Sequence, residues 1–212
     1  MRRAVILANG TPPSRATLEQ AVRDAARFVC ADGGAETARA VGLLPEAVIG
    51  DFDSATEDTI AHFSAVGVRI VRDVDVERTD TEKAIEYVLE HEPVDEIAIY
   101  GATAGRLDHV LGNVSLLHKF ADRVRLVLED DAASAWLASG IVTLDHPRGT
   151  VVSFFAAGEP AERVTTENLR YPLTEQTLEL GSQDSISNEI TERPGRIRIG
   201  SGRLVVVVVK RP

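Results

Sequence analysis

The chain has 212 residues, more than one average domain and fewer than two, which predicts a large domain joined to a small one. Apolar residues make up 44% and charged residues 26%, with 16 Gly and 9 Pro, a composition that excludes collagen-like and disordered chains. With 33 Asp and Glu against 23 Lys and Arg the net charge is −10, which argues against nucleic-acid backbones and anionic lipid as partners and favours cations.

The first apolar run, Ala4–Ala8, is too short for a signal-peptide core, and the last, Leu204–Val209, falls far below the roughly 20 residues of a membrane span. Cys30 has no second cysteine to pair with and no companions for a zinc site, so a cytoplasmic protein is expected. Aliphatic runs at Ala4–Ala8, Phe28–Ala31, Ala47–Gly50, Val68–Val71, Glu96–Tyr100 and Arg125–Leu128 alternate with segments of helical period at Thr17–Arg27, Glu36–Val41, Thr56–Ala65, Asp80–His91 and Leu107–Phe120. That alternation predicts an α/β domain, a mostly parallel Rossmann-like sheet with flanking helices. Thr17 and Gln20 have the spacing of a capping box at the start of the first helix. From Ile141 onward the runs Ile141–Leu144, Thr150–Phe155, Leu169–Tyr171, Thr177–Leu180, Gly195–Ile199 and Leu204–Val209 are short and separated by Gly, Pro, Asn and Asp. They predict a smaller antiparallel β-sandwich, with domains at 1–132 and 133–212.

Ligands of a parallel sheet bind outside the carboxyl ends of its strands. The residues after the predicted strands form a consistent set: Asn9-Gly10, Asp32-Gly33-Gly34, Asp51-Phe52-Asp53-Ser54, Asp73, and Gly101-Ala102-Thr103-Ala104-Gly105-Arg106. From Asp51 through Lys83 there are nine Asp or Glu against four Lys or Arg. Two carboxylates about 4 Å apart repel by roughly 4 kcal/mol at an effective dielectric near 20, so convergent acids need a cation. An all-oxygen set without His or Cys favours Mg²⁺, which leaves positions for water and phosphate and so points to a phosphorylated substrate. Asp51 and Asp53 share one side of the chain if the backbone stays extended; the alternative is a solvated turn that caps the next helix.

The glycines of the 101–105 loop allow close backbone approach, and the helix after it offers free amides and Arg106 to an anion. On that helix Leu107, Val110, Leu111, Val114 and Leu117 form a stripe expected to face the core, with Arg106, His109 and Asn113 on another face. Thr79 and Asp80 open the preceding helix; there Asp80 completes a metal shell and Lys83 contacts phosphate, or Glu82 and Lys83 form a solvated pair. Walker-type, Gly-x-Gly-x2-Gly and Gly-x-Ser-x-Gly motifs are missing. The lone Trp136 is expected to be a half-buried core residue.

Taken in order, Ala31-Asp32-Gly33-Gly34-Ala35, Gly50-Asp51-Phe52-Asp53-Ser54, Thr79-Asp80-Thr81-Glu82-Lys83-Ala84 and Gly101 through His109, followed by Ser187-Asn188-Glu189, make a chain that resembles the thiamine pyrophosphokinases. The resemblance implies a homodimeric enzyme that moves a diphosphate from ATP onto the hydroxyethyl group of thiamine, giving thiamine diphosphate and AMP. It implies Asp51, Asp53 and Asp80 as metal ligands, with Asp32 and Asp108 supporting them. It also implies Arg106, Lys83 and Thr79 on the phosphates, Gly33, Thr103, His109 and Asn113 around the nucleotide, and Ser187 and Asn188 facing thiamine. Two departures from the family pattern are Ala104 in place of a glycine and the Gln183-Asp184-Ser185 approach to Ile186, which lacks one. The same acids fit a Mg²⁺-dependent phosphohydrolase, and the same fold fits a noncatalytic nucleotide or thiamine sensor.

Overall fold

The computed structural model describes residues 1–210. The chain divides into two compact units, Met1–Asp131 and a second that begins at Ala132. In the first, β1 (Arg3–Leu7), α1 (Arg15–Arg23), β2 (Arg27–Ala31), α2 (Gly34–Val41), β3 (Ala47–Gly50), α3 (Glu57–Ala65), β4 (Arg69–Arg72), α4 (Asp80–His91), β5 (Glu96–Tyr100), α5 (Leu107–Lys119) and β6 (Arg125–Glu129) follow one another. The strands lie in the order β6-β5-β1-β2-β3-β4 and every pair is parallel. Strands β2, β3 and β5 are buried nearly from end to end, as expected of a sheet covered on both faces. Val5, Leu7, Phe28, Cys30, Val48, Phe63 and Ala98 belong to one packed cluster that also includes Leu18, Ala35 and Ala38 from the helices.

Two local expectations are corrected. Helix α1 starts earlier than Thr17: Ser14 is its cap, accepting from the Thr17 amide, and Ser14 is itself held by the carboxylate of Asp131. On α5 the buried residues are Asn113, Leu116 and Leu117, while Leu107 and Leu111 are 72% and 62% exposed, so of the expected stripe only Leu117 is buried.

The second unit contains β7 (Ala133–Ala138), β8 (Ile141–Leu144), β9 (Val151–Ala156), β10 (Ala161–Glu167), β11 (Gln176–Leu178), β12 (Ser185–Glu189), β13 (Gly195–Arg198) and β14 (Leu204–Val209). They form two antiparallel sets, β12-β9-β14-β7 and β11-β10-β13-β8. Leu144, Val152, Phe154, Val164, Leu178, Ile190, Ile197 and Val206 share one buried cluster, with Trp136 packed against it. The valine-rich β14 pairs with both β7 and β9, which makes it an interior strand. Leu169–Tyr171 is no strand; Leu169 makes only an isolated bridge to Ile190. Among the described residues no helix is long and apolar enough to cross a membrane.

Candidate active site

The carboxyl ends of β2 and β3 and the first turn of α4 bring Asp32, Asp51 and Asp80 together, with one carboxylate oxygen of each within 4.8 Å of the others. Asp32 is 2% exposed, and its two oxygens accept the amides of Ser54 and Ala55, both at 3.1 Å. Burial raises its pKa, the two amides lower it, and the charge of Asp80 and a contact with Asp53 raise it further. The close approach depends on Gly50, where a Cβ would lie 2.8 Å from the Asp32 Cβ and 3.3 Å from Asp80 Oδ1.

Asp53 is not one of the three. The expectation of an extended Asp51-Phe52-Asp53 segment is corrected by Phe52, whose φ of 65° turns the chain. Asp53 consequently sits on the exposed side, where it accepts from Ser54 Oγ, and its amide donates to Asp51 Oδ1 at 3.1 Å. The third member is Asp32, already read as a supporting acid from its place at the end of β2.

Lys83 is held inside the protein rather than turned toward solvent. Its side chain is 2% exposed, and its ammonium donates to Asp80 Oδ1 at 3.0 Å and to the Asp73 carbonyl at 2.9 Å. Thr79 caps α4, accepting the Glu82 amide at 3.2 Å. The loop between β4 and α4 is self-braced: Arg78 forks onto Asp73 and Asp75 at 2.9 and 2.8 Å, and each of those carboxylates also accepts a backbone amide two residues on. Both the buried lysine and the braced loop fix where Asp80 points.

The strand order reverses beside β1, which has β2 on one side and β5 on the other. There the loops that follow β1 and β5 are joined: the Gly10 amide donates to the Gly101 carbonyl at 2.8 Å, and a Cβ on Gly10 would lie 2.3 Å from that oxygen. The 101–106 loop is anchored from two further sides, Asn113 Nδ2 donating to the Ala102 carbonyl at 2.9 Å and Thr103 bonding to Asp130. Helix α5 begins at Arg106 without a side-chain cap. Arg106 and Asp108 are exposed and paired, at 2.6 and 3.2 Å, and the pairing with Arg106 pushes Asp108 down to about 2. His109 is exposed on the same turn. Gly33 packs against the Asn9 side chain at the start of α2.

Ser187 and Asn188 lie in the second unit on β12. Asn188 is fully buried: its Oδ1 accepts the Tyr171 amide at 3.0 Å and its Nδ2 donates to the Tyr171 carbonyl at 2.8 Å. Ser187 is exposed with φ 56°, and its amide donates to Ser153 Oγ at 2.9 Å.

A donor set of three carboxylates, with no His or Cys among them, suits a hard divalent cation. Residues 18–128 match the family model "Thiamin pyrophosphokinase, catalytic domain", and residues 141–204 match "Thiamin pyrophosphokinase, vitamin B1 binding domain". The chain is 30% identical to thiamine pyrophosphokinase 1 of Oryza sativa subsp. japonica, over 92% of this chain and 82% of that one. It is 29% identical to thiamine pyrophosphokinase of Bacillus subtilis, over 85% of this chain and 86% of that one. A crystal structure of the Bacillus subtilis enzyme superposes with a TM-score of 0.87 at 26% identity, covering both chains completely. The Candida albicans structure superposes with a TM-score of 0.90 at 17% identity, covering 99% of this chain and 89% of the other, a likeness of fold.

Proposed function

Because this chain belongs to the thiamine pyrophosphokinase family, and so makes thiamine diphosphate from thiamine and ATP, we propose that its nucleotide chemistry runs at the Asp32, Asp51 and Asp80 cluster with Mg²⁺ as the ion. The observation that carries this reading is the meeting of three carboxylate oxygens within 4.8 Å where β2 and β3 end and α4 begins. Left without a cation, the cluster is held together against its own repulsion. Bound there, Mg²⁺ would draw charge from the triphosphate and its leaving group.

The chain's own residues then align and shield. Asp51 and Asp80 present half-buried oxygens, and Asp32 ties the Ser54-Ala55 backbone beneath them. Lys83 holds Asp80 in place, its ammonium bonded to the Asp80 carboxylate and to the Asp73 carbonyl. Arg106 exchanges Asp108 for phosphate oxygens, and the uncapped start of α5 adds amides and a positive dipole end. While paired with Arg106, Asp108 is too weak a base to take the proton of the alcohol. Diphosphate transfer through a loose transition state asks mainly for alignment and charge compensation, which is what this set supplies. On the thiamine side Ser187 is the residue free to reach a ligand, and Asn188 fixes the strand that carries it; the match of residues 141–204 to a vitamin B1 binding domain supports that assignment. A cytoplasmic homodimer belongs to the same reading.

Purified protein incubated with ATP, Mg²⁺ and thiamine tests it, with the nucleotide products separated by chromatography. AMP should accumulate in step with thiamine diphosphate and only when thiamine is present. ADP as the sole product refutes diphosphate transfer, and phosphate released without thiamine marks a phosphohydrolase.

A further inference from the structure

Phe52 occupies the left-handed region, with φ 65°, between two carboxylates whose positions depend on it. A bulky side chain rarely adopts that conformation, and it persists only where the surroundings hold it. The surroundings here are specific. The parallel register pairs Gly50 of β3 with Arg72 of β4, which sets Arg72 beside the residue that begins the turn. Its Nη1 donates to the Asp51 carbonyl at 2.7 Å, and its Cζ stands 4.9 Å from the centre of the Phe52 ring. Phe52 also packs against the cluster of Val48, Phe63 and their neighbours. One guanidinium therefore holds the Asp51 carbonyl and the Phe52 ring together, from an exposed position on β4.

We propose that Arg72 is a positioning residue for Asp51: it clamps the left-handed turn at Phe52 and so keeps the Asp51 carboxylate with Asp32 and Asp80. The proposal rests on the reading of those three acids as the metal cluster. Released from the clamp, Phe52 relaxes to negative φ, the Asp51-Phe52 peptide rotates, and the carboxylate that precedes it leaves the other two. The clamp is simultaneous, one hydrogen bond and one cation–ring contact from a single guanidinium, so lysine does not replace it.

Mn²⁺ titrated into the nucleotide-free full chain, with the free ion followed by electron paramagnetic resonance, reads the effect without turnover. Arg72→Met should weaken Mn²⁺ binding by about tenfold, about 1.4 kcal/mol, and raise the Mg²⁺ needed for half-maximal activity in parallel, while the KM for thiamine at saturating Mg²⁺ holds. Arg72→Lys should fall close to Arg72→Met. Phe52→Asn in the Arg72→Met background should restore most of the loss, because asparagine accepts left-handed backbone without a clamp; Phe52→Asn alone should bind Mn²⁺ as the parent does. Wild-type affinity in Arg72→Met overturns the proposal, as does a loss that Phe52→Asn fails to restore, which marks Arg72 as a merely structural or electrostatic neighbour. Asp51→Asn separates the two levels: if it keeps Mn²⁺, the cluster reading falls and the clamp with it, whereas if it loses Mn²⁺ and Arg72→Met does not, only the clamp falls.

Discussion

Asp108 and Arg106 are each other's partners while no anion is present, and the pair reports on its own occupation. The hydrogen bonds from Arg106 hold the Asp108 carboxyl at about 2, below its ordinary 3.8. A folded pKa below the unfolded one means that the ionised pair favours the folded state above pH 3.8 and that this contribution is lost as pH falls through about 2. The side chains are 74% and 64% exposed, so solvent screens the pair and its weight in stability is small. Its value is as a probe. When tripolyphosphate or ATP takes Arg106, Asp108 loses the group that depresses it, and its titration, followed by carboxyl carbon NMR, should move upward toward 3.8. A titration that stays near 2 at saturating tripolyphosphate shows that Arg106 does not leave Asp108 for phosphate.

At the scale of elements, the turn after β1 and the loop before α5 behave as one piece, since Gly10 and Gly101 are bonded through their backbones and no side chain fits between them. Gly10→Ala sets a Cβ 2.3 Å from the Gly101 oxygen and 2.6 Å from that of Ala104, and overpacking of this kind costs about 1–3 kcal/mol. The displaced loop carries Thr103 and Arg106, so the KM for ATP should rise, whereas Mn²⁺ binding at the Asp32, Asp51 and Asp80 cluster should not change. Equal losses in both would show that the two regions move together. The element boundaries of this first unit were largely legible: Ala47–Gly50, Asp80–His91 and Glu96–Tyr100 are read from aliphatic runs and helical period to the residue. The second unit was less so. Strand β7 has no β-branched run, β10 carries a register shift that breaks its alternation, and β12 is polar except for Ile186, so periodicity passes over all three. The same limit applies to the site. Strand ends located Asp32 and Asp51 and a helix start located Asp80, yet the grouping of Asp32 rather than Asp53 with the other two turns on one positive φ at a phenylalanine, and no pattern in the sequence announces a conformation that tertiary contacts impose.

For the whole molecule, the consequence of gathering acids is that its stability depends on what neutralises them. Among the described residues all five helices and the three carboxylates belong to the unit Met1–Asp131, so ellipticity at 222 nm reports the unfolding of the part that holds the cluster. A ligand present at 100 times its dissociation constant stabilises the state that binds it by about 2.7 kcal/mol. Mg²⁺ with ATP should therefore raise the midpoint of the helical transition in the parent chain. Asp51→Asn removes one charge from the cluster and one ligand from the ion, and these act in opposite directions under different conditions. In EDTA the variant should melt at the same temperature as the parent or higher, because a repulsive contact has been relieved; with Mg²⁺ and ATP it should lose the upward shift together with turnover. A variant that melts well below the parent in EDTA assigns Asp51 to the support of its own turn, through the Asp53 amide that it accepts, and a shift that survives in Asp51→Asn places the ion elsewhere.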